Sequence, residues 1–118
     1  MAIQVRLFSH SGISHAFVAN YSAQKSFTAL PLLKQPYLAR ENLTVDTGAA
    51  VSSTTALAPA NSHILLVQVP PGSRVHYEVN RPGRDGGAVT ADTSSPIIEG
   101  DEHLEWEPGC AISLLQVS

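Results

Sequence analysis

Five histidines, His10, His15, His63, His76 and His103, are the side chains of this 118-residue chain best suited to hold a metal ion. Small β-barrel metal sites commonly place two ligands as His-x-His on one strand, so that alternate side chains converge on one ion. No His-x-His occurs in this chain. His63 and His103 can still meet across strands with Glu102 or Glu105 beside them, and three such groups suffice for zinc or iron. The competing expectation is that these histidines face solvent or are hydrogen-bonded within the core.

The acidic cluster Glu99, Asp101, Glu102, Glu105 and Glu107 raises two further chemistries, a carboxylate pair for glycoside cleavage and a calcium loop. Calcium binding needs several oxygens converging from one loop, as in Asp-x-Asp-x-Asp-Gly, and Gly100-Asp101-Glu102 does not match. Instead, His103, Glu105 and Glu107 alternate with Leu104 and Trp106, the pattern of a strand with one solvated face. Ser, His and Asp are all present, but there is no Gly-x-Ser-x-Gly elbow, no Gly-x-Gly-x-x-Gly and no Gly-Lys-Ser/Thr loop. The single cysteine, Cys110, precedes Ala111, Ile112 and Leu114 and reads as a small buried hydrophobe. Trp106 reads as core by its alternation, the alternative being a sugar-stacking platform shared with Tyr77.

The elements that position these residues are short strands separated by Pro and Gly. Residues 3–8 alternate Ile3, Val5 and Leu7 against Gln4 and Arg6, which predicts an N-terminal strand with one buried face. Strands are expected at 37–45, 49–57, 62–69 and 74–80, with a turn at 46–48 and a stop at Pro70-Pro71-Gly72-Ser73. In 74–80, Val75, Tyr77 and Val79 fall on one face and Arg74, His76, Glu78 and Asn80 on the other. Shorter strands are expected at 88–91, 97–98 and 103–106, and a last one at 110–117 after the Pro108-Gly109 turn. The loop 81–87, rich in Gly and Arg, is expected to be exposed and mobile.

Residues 9–36 break this regularity, and a stretch of that length without regular structure is unusual inside a compact domain. A short helix near 16–25, a hairpin and an extended arm are the three alternatives. Phe17 and Phe27 lie here, and such side chains are normally buried. If the segment projects, a neighbouring molecule must cover it, so an arm implies assembly. The expected architecture is a single all-β domain over 1–118: an antiparallel β-sandwich, jelly-roll-like, with an N-terminal strand and a partly irregular segment or arm at 9–36.

Composition narrows the function classes. Charged residues are 14% of the chain, below the roughly 25% usual in soluble domains, and the formal charge is −3 with lysine only at Lys25 and Lys34. No clustered basic surface suited to nucleic acid follows from this. The longest strongly apolar run, 64–67, is far short of the roughly 20 residues of a membrane-spanning helix. The N-terminus lacks the basic start and apolar stretch of a secretory signal, and one cysteine gives no intramolecular disulfide; synthesis in a reducing cytoplasm is expected.

From residue 49 onward the chain resembles the small accessory proteins of tailed bacteriophage virions. The resemblance rests on the Ser/Thr-rich run Ser52-Ser53-Thr54-Thr55-Ala56-Leu57, the apolar run 64–69, and Asn80-Arg81-Pro82. It continues through Ser-Ser-Pro-Ile-Ile-Glu-Gly at 94–100 and Glu-Pro-Gly-Cys-Ala-Ile-Ser-Leu-Leu at 107–115. It implies a head decoration or cement protein without enzymatic activity or cofactor, found on the capsid surface. Such a protein binds between major capsid protein subunits and assembles as a homo-oligomer. The expected contact residues are Phe17, Tyr21, Phe27 and Leu30 in the arm, and Arg81 and Arg84 at the loop tip. The alternatives are a cupin-like metal enzyme using His63, His76 and His103, and a carbohydrate-binding tail or adhesin module.

Overall fold

A computed structural model describes residues 1–19, 27–33, 37–82 and 89–118, with 13–19 and 27–33 described as backbone only. The strands in chain order are β1 Ile3–His10, β2 Ile13–Ala19, β3 Phe27–Leu33, β4 Ala39–Val45, β5 Val51–Ser52, β6 Ile64–Gln68, β7 Arg74–Asn80, β8 Ile97–Glu99, β9 Asp101–Glu105 and β10 Ala111–Gln116. Two four-stranded sheets form, ordered β4-β1-β6-β9 and β5-β10-β7-β8, and β2 pairs with β3 in a separate two-stranded sheet. All pairings are antiparallel. From β4 to β7 the chain crosses from one sheet to the other at every step, the jelly-roll-like wiring of an all-β sandwich.

Strict alternation places the core. In β1, Val5 and Leu7 are fully buried between exposed Gln4 and Arg6. Leu7 faces Val67, Leu65 faces Leu104, Val75 faces Ile98, and Leu114 faces Val51 and Tyr77 across their ladders. These cross-strand pairs build the two inner faces, and each fully buried Val, Leu or Ile contributes about 1.5–3 kcal/mol. Cys110 is buried among them.

Two local expectations are corrected. The strand expected at 49–57 shrinks to Val51–Ser52, because residues Thr55–Leu57 form a 3-10 turn in which the Leu57 N–H donates to Thr54 O and Leu57 becomes 1% exposed. The strand expected at 88–91 does not form over residues 89–91. There, side chains replace a ladder: Asn80 Nδ2 donates to Val89 O (2.9 Å), Val89 N–H donates to Asn80 Oδ1, and Ala91 N–H donates to Ser113 Oγ (2.9 Å). Of the three alternatives for residues 9–36, the helix is not the one taken over residues 16–19, which belong to β2.

Gly109 closes the turn into β10. Cys110 N–H donates to Glu107 O at 3.2 Å, Pro108 takes the second turn position and Gly109 the third with φ +86°, the residue order of a type II turn. A Cβ at Gly109 would stand 3.0 Å from Pro82 Cγ, whereas one at Gly100, φ +73°, would meet nothing. Both alanine variants incur the left-handed penalty of about 1–2 kcal/mol, and Gly109→Ala must also displace Pro82. Urea unfolding is expected to show the larger midpoint loss for Gly109→Ala; equal losses would mean that Pro82 yields freely.

Candidate interaction surface

β1 and β4 are neighbours in one sheet, with Ser9 facing Ala39 and the Leu38 N–H donating to Ser9 O at 2.8 Å. The whole segment between them is therefore an excursion from one end of that sheet. Within it, β2 and β3 run in register from Ile13 opposite Leu33 to Ala19 opposite Phe27, with Phe17 opposite Ala29 and Ala16 opposite Leu30. Of the hairpin, helix and arm alternatives, the described backbone is a hairpin ribbon. Seven residues of strand extend about 24 Å, and the Cα radius of gyration, 16.7 Å, exceeds the about 13.5 Å of a compact chain of this length.

Apolar side chains gather where the ribbon leaves the sandwich. Tyr37 and Leu38 are 40% and 42% exposed, and the Tyr37 ring tilts at 59° against Phe8 with centroids 5.2 Å apart. Phe8 in turn faces Arg40 on one side and Leu66 on the other, and Leu66 faces exposed His103. Phe8 occupies the solvent-facing phase of β1, after Gln4 and Arg6, and that phase was the sequence signal for this patch.

Of the expected contact residues, Phe17, Phe27 and Leu30 fall on the ribbon, where only the backbone is described, and Tyr21 and Arg84 lie outside the described residues. Arg81 follows β7, and its Nη2 pairs with Glu105 Oε2 at 3.3 Å; Glu105 faces Ile64, which faces His10 at the end of β1 from which the ribbon leaves. With Glu105 86% exposed, this pair contributes little to stability.

Comparison with protein-family models, with curated proteins and with solved structures finds no match. His63, His76 and His103 do not converge: His103 lies on the exposed face of the β4-β1-β6-β9 sheet and exposed His63 precedes β6 in that sheet, while His76 belongs to the other sheet. Among the described residues no three His, Cys, Asp or Glu side chains are placed to share a metal. Trp106 is 4% exposed and donates from Nε1 to Leu57 O at 3.3 Å, and Tyr77 packs on the core. Trp106 is thus a core residue, while Tyr77 is half-buried.

His76 is buried beneath a strap formed by residues 91–96. Its Nδ1–H donates to Ser95 O at 2.9 Å, and Ser95 Oγ donates to Glu78 Oε2 at 2.6 Å while accepting from Asp92 N–H at 3.1 Å. The serine hydroxyl is thereby committed to a pin between strap and sheet. Asp92 anchors the strap's turn: its Oδ1 accepts from Ser94 Oγ (2.6 Å) and Ser94 N–H (2.8 Å). The Ser94 hydroxyl bond first, then the Ser94 amide bond, holds the Asp92 carboxyl below the usual carboxylate range. A depressed folded value gives stability that is present above the unfolded pKa and is lost as pH falls through the folded one. An NMR pH titration is expected to show Asp92 titrating at lower pH than an unpaired aspartate, and Ser94→Ala is expected to move it back up; an ordinary value in the unsubstituted protein would contradict the turn.

Proposed function

We propose that this chain is a structural virion protein that binds between major capsid subunits and stabilises a phage head, acting as a symmetric homo-oligomer without catalytic activity. The observation that carries the proposal is the β2–β3 ribbon. It joins neither sheet of the sandwich, and its strands read ISHAFVA and FTALPLL. A two-stranded ribbon is marginally stable alone in water, and a sequence this apolar calls for a neighbouring surface to cover it.

Composition supports the same role. Interface cores are depleted in Lys, Glu and Asp and enriched in apolar and aromatic groups, and this chain has 14% charged residues and 43% hydrophobic ones. Many copies on one shell add avidity, so each contact need only be modest. The resemblance of residues 49–118 to virion accessory proteins points the same way. Light scattering of the purified protein, with metal analysis on the same sample, tests the proposal. A metal-free oligomer, or a monomer that associates only with assembled capsids, supports it; one tightly held metal per chain overturns it.

A further inference from the structure

A cleft of about 650 Å³ opens at the Arg6–Gln68 end of the β1–β6 ladder, away from His10 and the ribbon, lined by Gln4, Arg6, Gln68, residues 69–72, Glu99, Gly100 and Asp101. Its floor is a row across three strands. Arg6 on β1 faces Gln68 on β6, and Gln68 faces Asp101 on β9. Adjacent strands lie about 4.8 Å apart, so the guanidinium and the carboxylate flank the amide over about 10 Å. One wall is the Pro70-Pro71-Gly72 turn, closed by Ser73 N–H donating to Pro70 O at 3.1 Å. The other is the step from β8 to β9, where Gly100, φ +73°, carries the chain between sheets and accepts from Val69 N–H at 3.2 Å.

We infer that this cleft binds a neutral, hydroxyl-rich saccharide. Arginine only donates hydrogen bonds, an ionised carboxylate only accepts them, and a glutamine amide does both. A ligand that satisfies the whole row must therefore offer donors and acceptors side by side without net charge, which is what vicinal hydroxyls supply. An anion would pair with Arg6 but meet Asp101 and Glu99; a cation would meet the reverse. Arg6 is exposed and, among the described residues, enters no ion pair, so its donors are available. Gln4 is already oriented, since its Nε2 donates to Thr44 Oγ1 at 2.7 Å, leaving its carbonyl oxygen to accept. The pyrrolidine rings of Pro70 and Pro71 offer apolar surface to the C–H face of a sugar. The volume falls within the 300–1,000 Å³ usual for ligand sites. This site shares no residue with the expected sugar platform of Trp106 and Tyr77, and it is independent of the capsid role.

The test is a ¹⁵N-HSQC titration of the full chain with cellotetraose, chitotetraose, maltotetraose and mannotetraose, with glycerol at matched hydroxyl concentration as control. Saturable shifts with at least one tetrasaccharide are expected at the side-chain amides of Gln4 and Gln68 and at the backbone of residues 69–72 and 99–101. Arg6→Ala and Asp101→Asn should each weaken that binding by about tenfold or more, the effect of losing a hydrogen bond to a charged group, while the remaining spectrum stays unchanged. These two exposed positions lie on different strands, so one variant serves if the other misfolds. No saturable shift with any of the four sugars, equal shifts with glycerol, or binding undiminished by both substitutions overturns the inference. Neither sugar nor substitution touches the ribbon, so the virion role is tested separately.

Discussion

Replacing Trp106 by alanine is expected to destabilise the sandwich by about 3–5 kcal/mol, the usual cost of removing a large buried aromatic. Trp106 follows β9 directly, and its backbone N–H donates to His63 O at 3.1 Å. Its ring is buried in the core with Leu57, and its Nε1–H holds the Leu57 carbonyl. Removal leaves a cavity and takes away the side-chain donor that tethers the 3-10 turn. With total stabilities of about 5–15 kcal/mol for ordinary domains, the variant should be largely unfolded under mild denaturant. Trp106→Phe keeps most of the volume and loses the hydrogen bond, a cost of about 1 kcal/mol beyond the smaller ring. Urea midpoints for the pair separate the two contributions. An alanine variant as stable as the parent would mean that the indole does not secure the turn.

The second large effect lies in the ribbon. Phe17→Ala with Phe27→Ala is expected to weaken attachment to capsid shells by about a hundredfold or more, since buried aromatic anchors at interfaces commonly carry about 2 kcal/mol or more each. The unfolding free energy from urea titration should stay within about 0.5 kcal/mol of the parent's, as for substitutions outside a core. Because β1 and β4 are already paired at Ser9 and Ala39, residues 11–37 can also be replaced by a tight turn. That shortened chain should keep the sandwich and lose attachment. If the doubly substituted protein unfolds instead, the two phenylalanines belong to a core and the ribbon is not a contact arm.

The sandwich was legible in the sequence wherever burial is strictly one-sided. β1 alternates cleanly over Ile3–Leu7 and β7 alternates Val75, Tyr77 and Val79 with polar residues, and Pro70-Pro71-Gly72-Ser73 stops β6 for reasons internal to those residues. The misses have a common physical origin. Nothing local in residues 89–91 reveals that Asn80 and Ser113, from two other strands, will satisfy their backbone groups. Likewise, His76 sits in the polar phase of β7, and its burial comes from a strap about twenty residues away in sequence, at Ser95. Leu57 reads as the end of a strand because its neighbours are Thr and Ala, yet a 3-10 turn delivers the same side chain to the core. The cleft was not anticipated because Arg6, Gln68 and Asp101 are each unremarkable alone; only the register of β1, β6 and β9 aligns them.

Shell binding tests the central claim most directly. Capsid shells prepared without this protein would be incubated with increasing amounts of it and sedimented. Saturable co-sedimentation at a fixed ratio to the major capsid subunit, with shells that then resist higher temperature, is the predicted result. Protein that stays in the supernatant at every concentration, while the sandwich is folded and the ribbon intact, would contradict a role in holding capsid subunits together.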